Sequence, residues 1–176
     1  SLADFGTITI VNIFVYLLSL FTNALSTTTT HEVSFFEGMH SGMGNSFIKK
    51  IWLYVLLSGF ITCVAWIFAV PIIGNYFNVS NTIVIFAFAP AIIFAALDAL
   101  NKGYLQGTFS FGSTAATNLF EVIVKLALAV TLVTFGLSAL ASFAIPGSMF
   151  AAWLASTTLA GLIYRKVSRA NPPQIA

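Results

Sequence analysis

Between Lys50 and Asp98 the chain runs for 47 residues, Ile51 to Leu97, without one Asp, Glu, Lys or Arg. That is more than twice the ~20 apolar residues needed to cross a bilayer. Two more uncharged stretches, Phe5 to Thr30 and Leu126 to Tyr164, flank it. Only 7% of the 176 residues are charged, against roughly 25% in an ordinary soluble domain. Twelve charges cannot coat a globule of this size with a solvated surface. A soluble enzyme is therefore excluded, and an all-α polytopic membrane protein is expected. A net charge of +2 leaves no electrostatic footprint for nucleic acid. The lone cysteine, Cys63, excludes an internal disulfide and a multi-cysteine metal site. In an apolar run it reads as a small packing residue.

The gaps between charges set five expected spans, at about 5–26, 51–70, 82–100, 114–135 and 139–164. The long central stretch divides at a turn cluster of Pro71, Gly74, Asn75, Asn78, Ser80 and Asn81. The last uncharged stretch divides at Gly136–Ser138. Pro90, mid-span, and Pro146, early in the last helix, each remove a backbone hydrogen bond and are expected to kink their helices. Strands are not expected, because a membrane barrel alternates polar and apolar residues and these runs do not. Lys49, Lys50, Lys102, Arg165, Lys166 and Arg169 all fall on one side of five alternating spans. By the positive-inside rule that side, with residues 31–50, 101–113 and 165–176, is cytoplasmic. Ser1 then lies outside. The first apolar run has neither the basic lead nor the cleavage site of a signal peptide. A piece of a longer protein, lacking a first helix, is the expectation.

Polar residues inside the spans draw two stripes. Thr9, Asn12, Tyr16, Ser19, Asn23, Ser26 and Thr30 are spaced 3, 4, 3, 4, 3, 4 and share one helix face. In lipid such a stripe serves either as helix–helix glue or as the wall of a cavity. Thr114, Asn118, Glu121 and Lys125 form a second stripe on the fourth span. Glu121 and Lys125 stand in i,i+4 spacing in the favourable order. Lys125 is expected about 16 Å into the membrane, counting 1.5 Å per residue from Thr114. This pair is either a structural ion pair or part of a charged site in a cytoplasm-open cavity. Asp98 and Lys102 form another i,i+4 pair, read as an interfacial salt bridge with a snorkelling lysine. His31-Glu32 opens like a zinc-protease helix, but Phe35 stands where the second His belongs, so no metal is expected.

Two segments carry a family resemblance. Leu2-Ala3-Asp4-Phe5-Gly6 resembles the acidic–aromatic–Gly lead-in to the second helix of polysaccharide-biosynthesis membrane proteins. These are the O-antigen and exopolysaccharide flippases of the multidrug/oligosaccharidyl-lipid/polysaccharide exporter superfamily. Asn101-Lys102-Gly103-Tyr104-Leu105-Gln106-Gly107, followed by Phe111, looks like that family's connector between helices four and five. Asn118, Glu121 and Lys125-Leu126 in the next helix also fit. The resemblance implies helices two to six of a six-helix half and a bacterial inner-membrane location. It implies a transporter rather than an enzyme, flipping a polyprenyl-diphosphate-linked oligosaccharide by alternating access. Thr9, Asn12, Tyr16, Ser19, Asn23, Ser26, Asn118, Glu121 and Lys125 would then line the cavity. No cofactor is implied, although H+ or Na+ coupling is compatible. Family members often carry an arginine near the cytoplasmic end of helix two; Thr27–Thr30 stand there instead, leaving Lys125 as the intramembrane cation. A multidrug/cation antiporter of the same superfamily, or a membrane enzyme acting on lipid-linked sugars, are the alternatives.

Overall fold

The computed structural model describes residues 2–39, 43–77, 83–135 and 143–170. Those residues are helical throughout, apart from short turns, and contain no strand. The helices are α1 (Leu2–Gly38), α2 (Met43–Tyr76), α3 (Ile83–Phe86), α4 (Phe88–Gly107), α5 (Phe111–Thr134) and α6 (Ala144–Ala170). Among the described residues, three segments are long and apolar enough to cross a membrane: Phe47–Tyr76, Phe111–Thr134 and Ala144–Lys166. α4 packs against α1, α2 and α6 as the centre of the bundle.

Three apolar clusters follow α4 along its length. Phe88 and Ala91 pack with Val15, Trp66 and Met149 at one end. Leu97 and Leu100 pack with Val55, Leu25 and Trp153 in the middle. Tyr104 and Leu105 pack with Val33, Ile48 and Ile163 at the other end. Outward-facing Phe60, Ile61 and Phe68 of α2 and Leu119, Val122 and Leu126 of α5 are exposed, as lipid-facing side chains should be.

The helices are longer than the charge gaps indicate. Residues 31–50, expected as a loop, belong largely to helices: α1 continues to Gly38 and α2 begins at Met43. Charge marks contact with water, not a helix end. Val33, between Glu32 and Ser34, is fully buried against Tyr104 and Leu105 and holds this last part of α1 on α4. At the expected turn cluster, α2 runs through Pro71, Gly74 and Asn75 to Tyr76. Asn78, Ser80 and Asn81, like Gly136–Ser138, lie outside the described residues. Pro90 interrupts its helix as expected, though the break lies just upstream of it. The helix breaks at Ala87 and restarts at Phe88, so Pro90 sits in a first turn, where no N–H is required. Its ring would clash with the Phe86 carbonyl in a continuous helix. The Trp66 Nε1 donates to the Ile85 carbonyl at 3.0 Å beside this break. Pro146 likewise lies in the first turn of α6, which begins at Ala144. α5 starts at Phe111, three residues before the expected Thr114.

Two close approaches fix the frame around the interior. A Cβ on Gly103 would lie 2.7 Å from both the Ser26 carbonyl oxygen and Thr29 Cβ; one on Gly107 would lie 2.6 Å from Val33 Cβ. The small-xxx-small spacing lets the backbones of α1 and α4 meet. There Thr30 Oγ1 comes within 3.2 Å of the Gly103 carbonyl and Ser34 Oγ within 3.4 Å of the Gly107 carbonyl. α4 then ends in a tight turn: the Phe109 N–H donates to the Gln106 carbonyl (2.9 Å) and the Ser110 N–H to the Leu105 carbonyl (2.8 Å). This is the Schellman pattern, whose left-handed position is usually glycine; here Phe109 occupies it at φ 58°. The turn redirects the chain into α5, which packs along α6.

Candidate functional site

Four helices line a partly open cavity of about 320 Å³. α1 supplies Ser19, Thr22, Asn23 and Ser26. α4 supplies Asp98, Lys102 and Gln106, and α5 supplies Asn118, Glu121 and Lys125. Ser148 and Met149 of α6 close one side. The α1 wall follows from helix periodicity: Ser19, Thr22, Asn23 and Ser26 recur every three or four residues on one face. Ser19 Oγ donates to the Tyr16 carbonyl (2.6 Å) and Thr22 Oγ1 to the Ser19 carbonyl (3.1 Å). Their oxygens keep lone pairs toward the cavity, and the Asn23 and Asn118 amides add donors and acceptors.

At the charged end the wall is organised by Lys102. Its Nζ lies 2.7 Å from Asp98 Oδ2 and 2.9 Å from Glu121 Oε2. These are the short distances of charge-assisted hydrogen bonds. One ammonium on α4 thus holds a carboxylate of its own helix and one of α5. Glu121 therefore does not take the expected partner on its own helix. Lys125 lines the same cavity and makes no ion pair among the described residues. Next to this cluster, Asn101 Nδ2 donates to Thr157 Oγ1 (2.9 Å) and lies 3.3 Å from Ser156 Oγ, fastening α4 to α6.

Of the nine residues proposed from sequence for the cavity, the structure brings six together: Ser19, Asn23, Ser26, Asn118, Glu121 and Lys125. Thr9, Asn12 and Tyr16 continue the same stripe beyond the cavity, and Tyr16 is 68% exposed. Thr30, the last member of the stripe, packs against α4 instead. Asp98 and Lys102, read from sequence as an interfacial pair, are paired as their spacing indicates but stand in the cavity wall with little exposure. Thr22, Gln106 and Ser148 were not singled out. Asp98, Lys102 and Gln106 recur at spacing 4, 4, a short polar stripe on α4 that could have been read as a wall. His31 and Glu32 lie 3.8 Å apart on the largely exposed part of α1, away from this site.

The arrangement sets hydroxyls and amides on one wall of the cavity and two carboxylates and two ammonium groups on the other. Comparison with the curated proteins and with the solved structures gives no match. A profile of the family described as polysaccharide biosynthesis protein matches residues 1–168. That match spans nearly the whole chain, and the chain belongs to the polysaccharide biosynthesis protein family.

Proposed function

We propose that the chain forms part of a flippase-type transporter, not an enzyme, which carries a polyprenyl-diphosphate-linked oligosaccharide across the bacterial inner membrane by alternating access. One observation carries this reading. The bundle contains a polar cavity in which Lys125, without an ion pair among the described residues, faces a wall of hydroxyls and amides. Such a wall suits a sugar, whose hydroxyls both donate and accept. The ammonium of Lys125 is left for an anionic group of the cargo. Both cavity carboxylates are engaged by Lys102, which speaks against a cation antiporter needing an uncommitted acid.

The test is polysaccharide export in cells carrying the intact protein. Lys125→Ala should abolish export at normal membrane abundance, and Lys125→Arg should retain it. Wild-type export by Lys125→Ala would overturn the assignment of this cavity.

A further inference from the structure

Four charges stand in the cavity wall: Asp98 and Lys102 from α4, Glu121 and Lys125 from α5. Their pairing is lopsided. Lys102 holds both carboxylates, while Lys125 holds none among the described residues. A second arrangement needs no new neighbours. Glu121 and Lys125 are four residues apart on one helix, with β-carbons about 5–6 Å apart. With Glu121 turned to Lys125, Lys102 would keep Asp98 and all four charges would be paired. The arrangement seen instead leaves the Lys125 ammonium at the cavity wall, exposed and without a counter-charge among the described residues. That is tolerable only while water or an anion fills the cavity beside it.

From this asymmetry we infer that Glu121 is an exchangeable latch. It ties α5 to α4 through Lys102 while Lys125 is solvated or holds an anion, and it swings to Lys125, freeing α5 from α4, when the cavity empties. The surrounding packing limits what such a latch moves: α5 packs chiefly along α6, so release shifts it on α6 and away from α4. α1 is locked to α4 by the close approaches at Gly103 and Gly107. α6 is fastened to α4 through Asn101, Ser156 and Thr157. α5 meets α4 across the cavity through Lys102 and Glu121, and it leaves α4 at the turn around Phe109, where a pivot would sit. The coupling is reciprocal: whatever occupies Lys125 favours the tied state by the factor by which the tied state favours its binding.

The test is a distance measurement on the intact protein in lipid nanodiscs. Spin labels go on Thr28→Cys of α1 and Ala116→Cys of α5, both exposed, with Cys63→Ser to leave two thiols. Pulsed dipolar spectroscopy should show two distance populations. Lys125→Gln, which removes the alternative partner, should cut the released population by about tenfold. Lys125→Arg should retain both populations, and Glu121→Gln should leave the released one alone. A single population that Lys125→Gln does not alter would overturn the latch. The measurement needs neither cargo nor export, so the latch and the transport reading fail separately.

Discussion

Lys125 is where stability and use pull in opposite directions. An unpaired lysine at the centre of a membrane helix costs roughly 2.5–3.5 kcal/mol on insertion scales, less where a cavity admits water. Lys125→Leu should therefore stabilise the fold by about 1–2 kcal/mol while export is lost. Lys102 is the reverse case. Its side chain is mostly buried between Asp98 and Glu121, so Lys102→Met leaves a buried carboxylate without its partner. A loss of about 3 kcal/mol is expected. Denaturation midpoints of the two variants in detergent check the ranking, and Lys102→Met as the more stable of the two would refute it. Glu121 and Lys125 were legible because a charge on an apolar background stands out. The true partner of Glu121 was not. Sequence spacing displays neighbours on one helix, whereas the Lys102–Glu121 contact depends on how the turn around Phe109 registers α5 against α4.

At the scale of elements, the decisive contact is between α1 and α4. The connector from Asn101 to Gly107, noticed in sequence as a family pattern, acts here as a packing surface: its two glycines admit α1, and its end turns the chain into α5. The atoms a methyl group would meet at Gly103 are a backbone carbonyl and a β-carbon, which have no freedom to swing away. Gly103→Ala should thus push α1 off α4 and cost about 1–3 kcal/mol, the range for overpacking. Gly107→Ala should do the same through Val33. Gly161, also helical, has nothing within 4 Å of an added Cβ. Gly161→Ala should gain up to about 1 kcal/mol from helix propensity. Opposite signs in thermal unfolding support the clamp, and equal effects would refute it. Helix existence was legible from the apolar runs, but helix ends were not. Uncharged length reports the thickness of lipid, while α1 and α2 continue past it for as long as residues such as Val33 find a partner.

For the molecule as a whole, the expected orientation rests on the charge pattern and the packing together. The cluster of Val33, Tyr104, Leu105 and Ala160, with Ile48 and Tyr164 against it, places the end of α1, the start of α2 and the ends of α4 and α6 at one level. Lys49 lies over the Tyr164 ring, 5.3 Å from its centroid, and Arg165 and Lys166 follow that ring in sequence. These cations thus gather at one end of the bundle, and short basic segments are retained in the cytoplasm. α2, with 34 residues, is about 51 Å long at 1.5 Å per residue, well beyond a hydrocarbon core of ~30 Å. Its two ends are therefore expected to reach water on opposite sides. Met39, directly after α1 on the side where α2 begins, is 61% exposed, and Tyr76 at the far end of α2 is 82% exposed. With Cys63→Ser as background, an impermeant maleimide should label Tyr76→Cys in intact cells and Met39→Cys only in inverted vesicles. The opposite pattern would reverse the orientation, and the cavity charges, near the cationic end, would then open outward. Labelling of both sites from one side would mean that α2 does not cross the membrane.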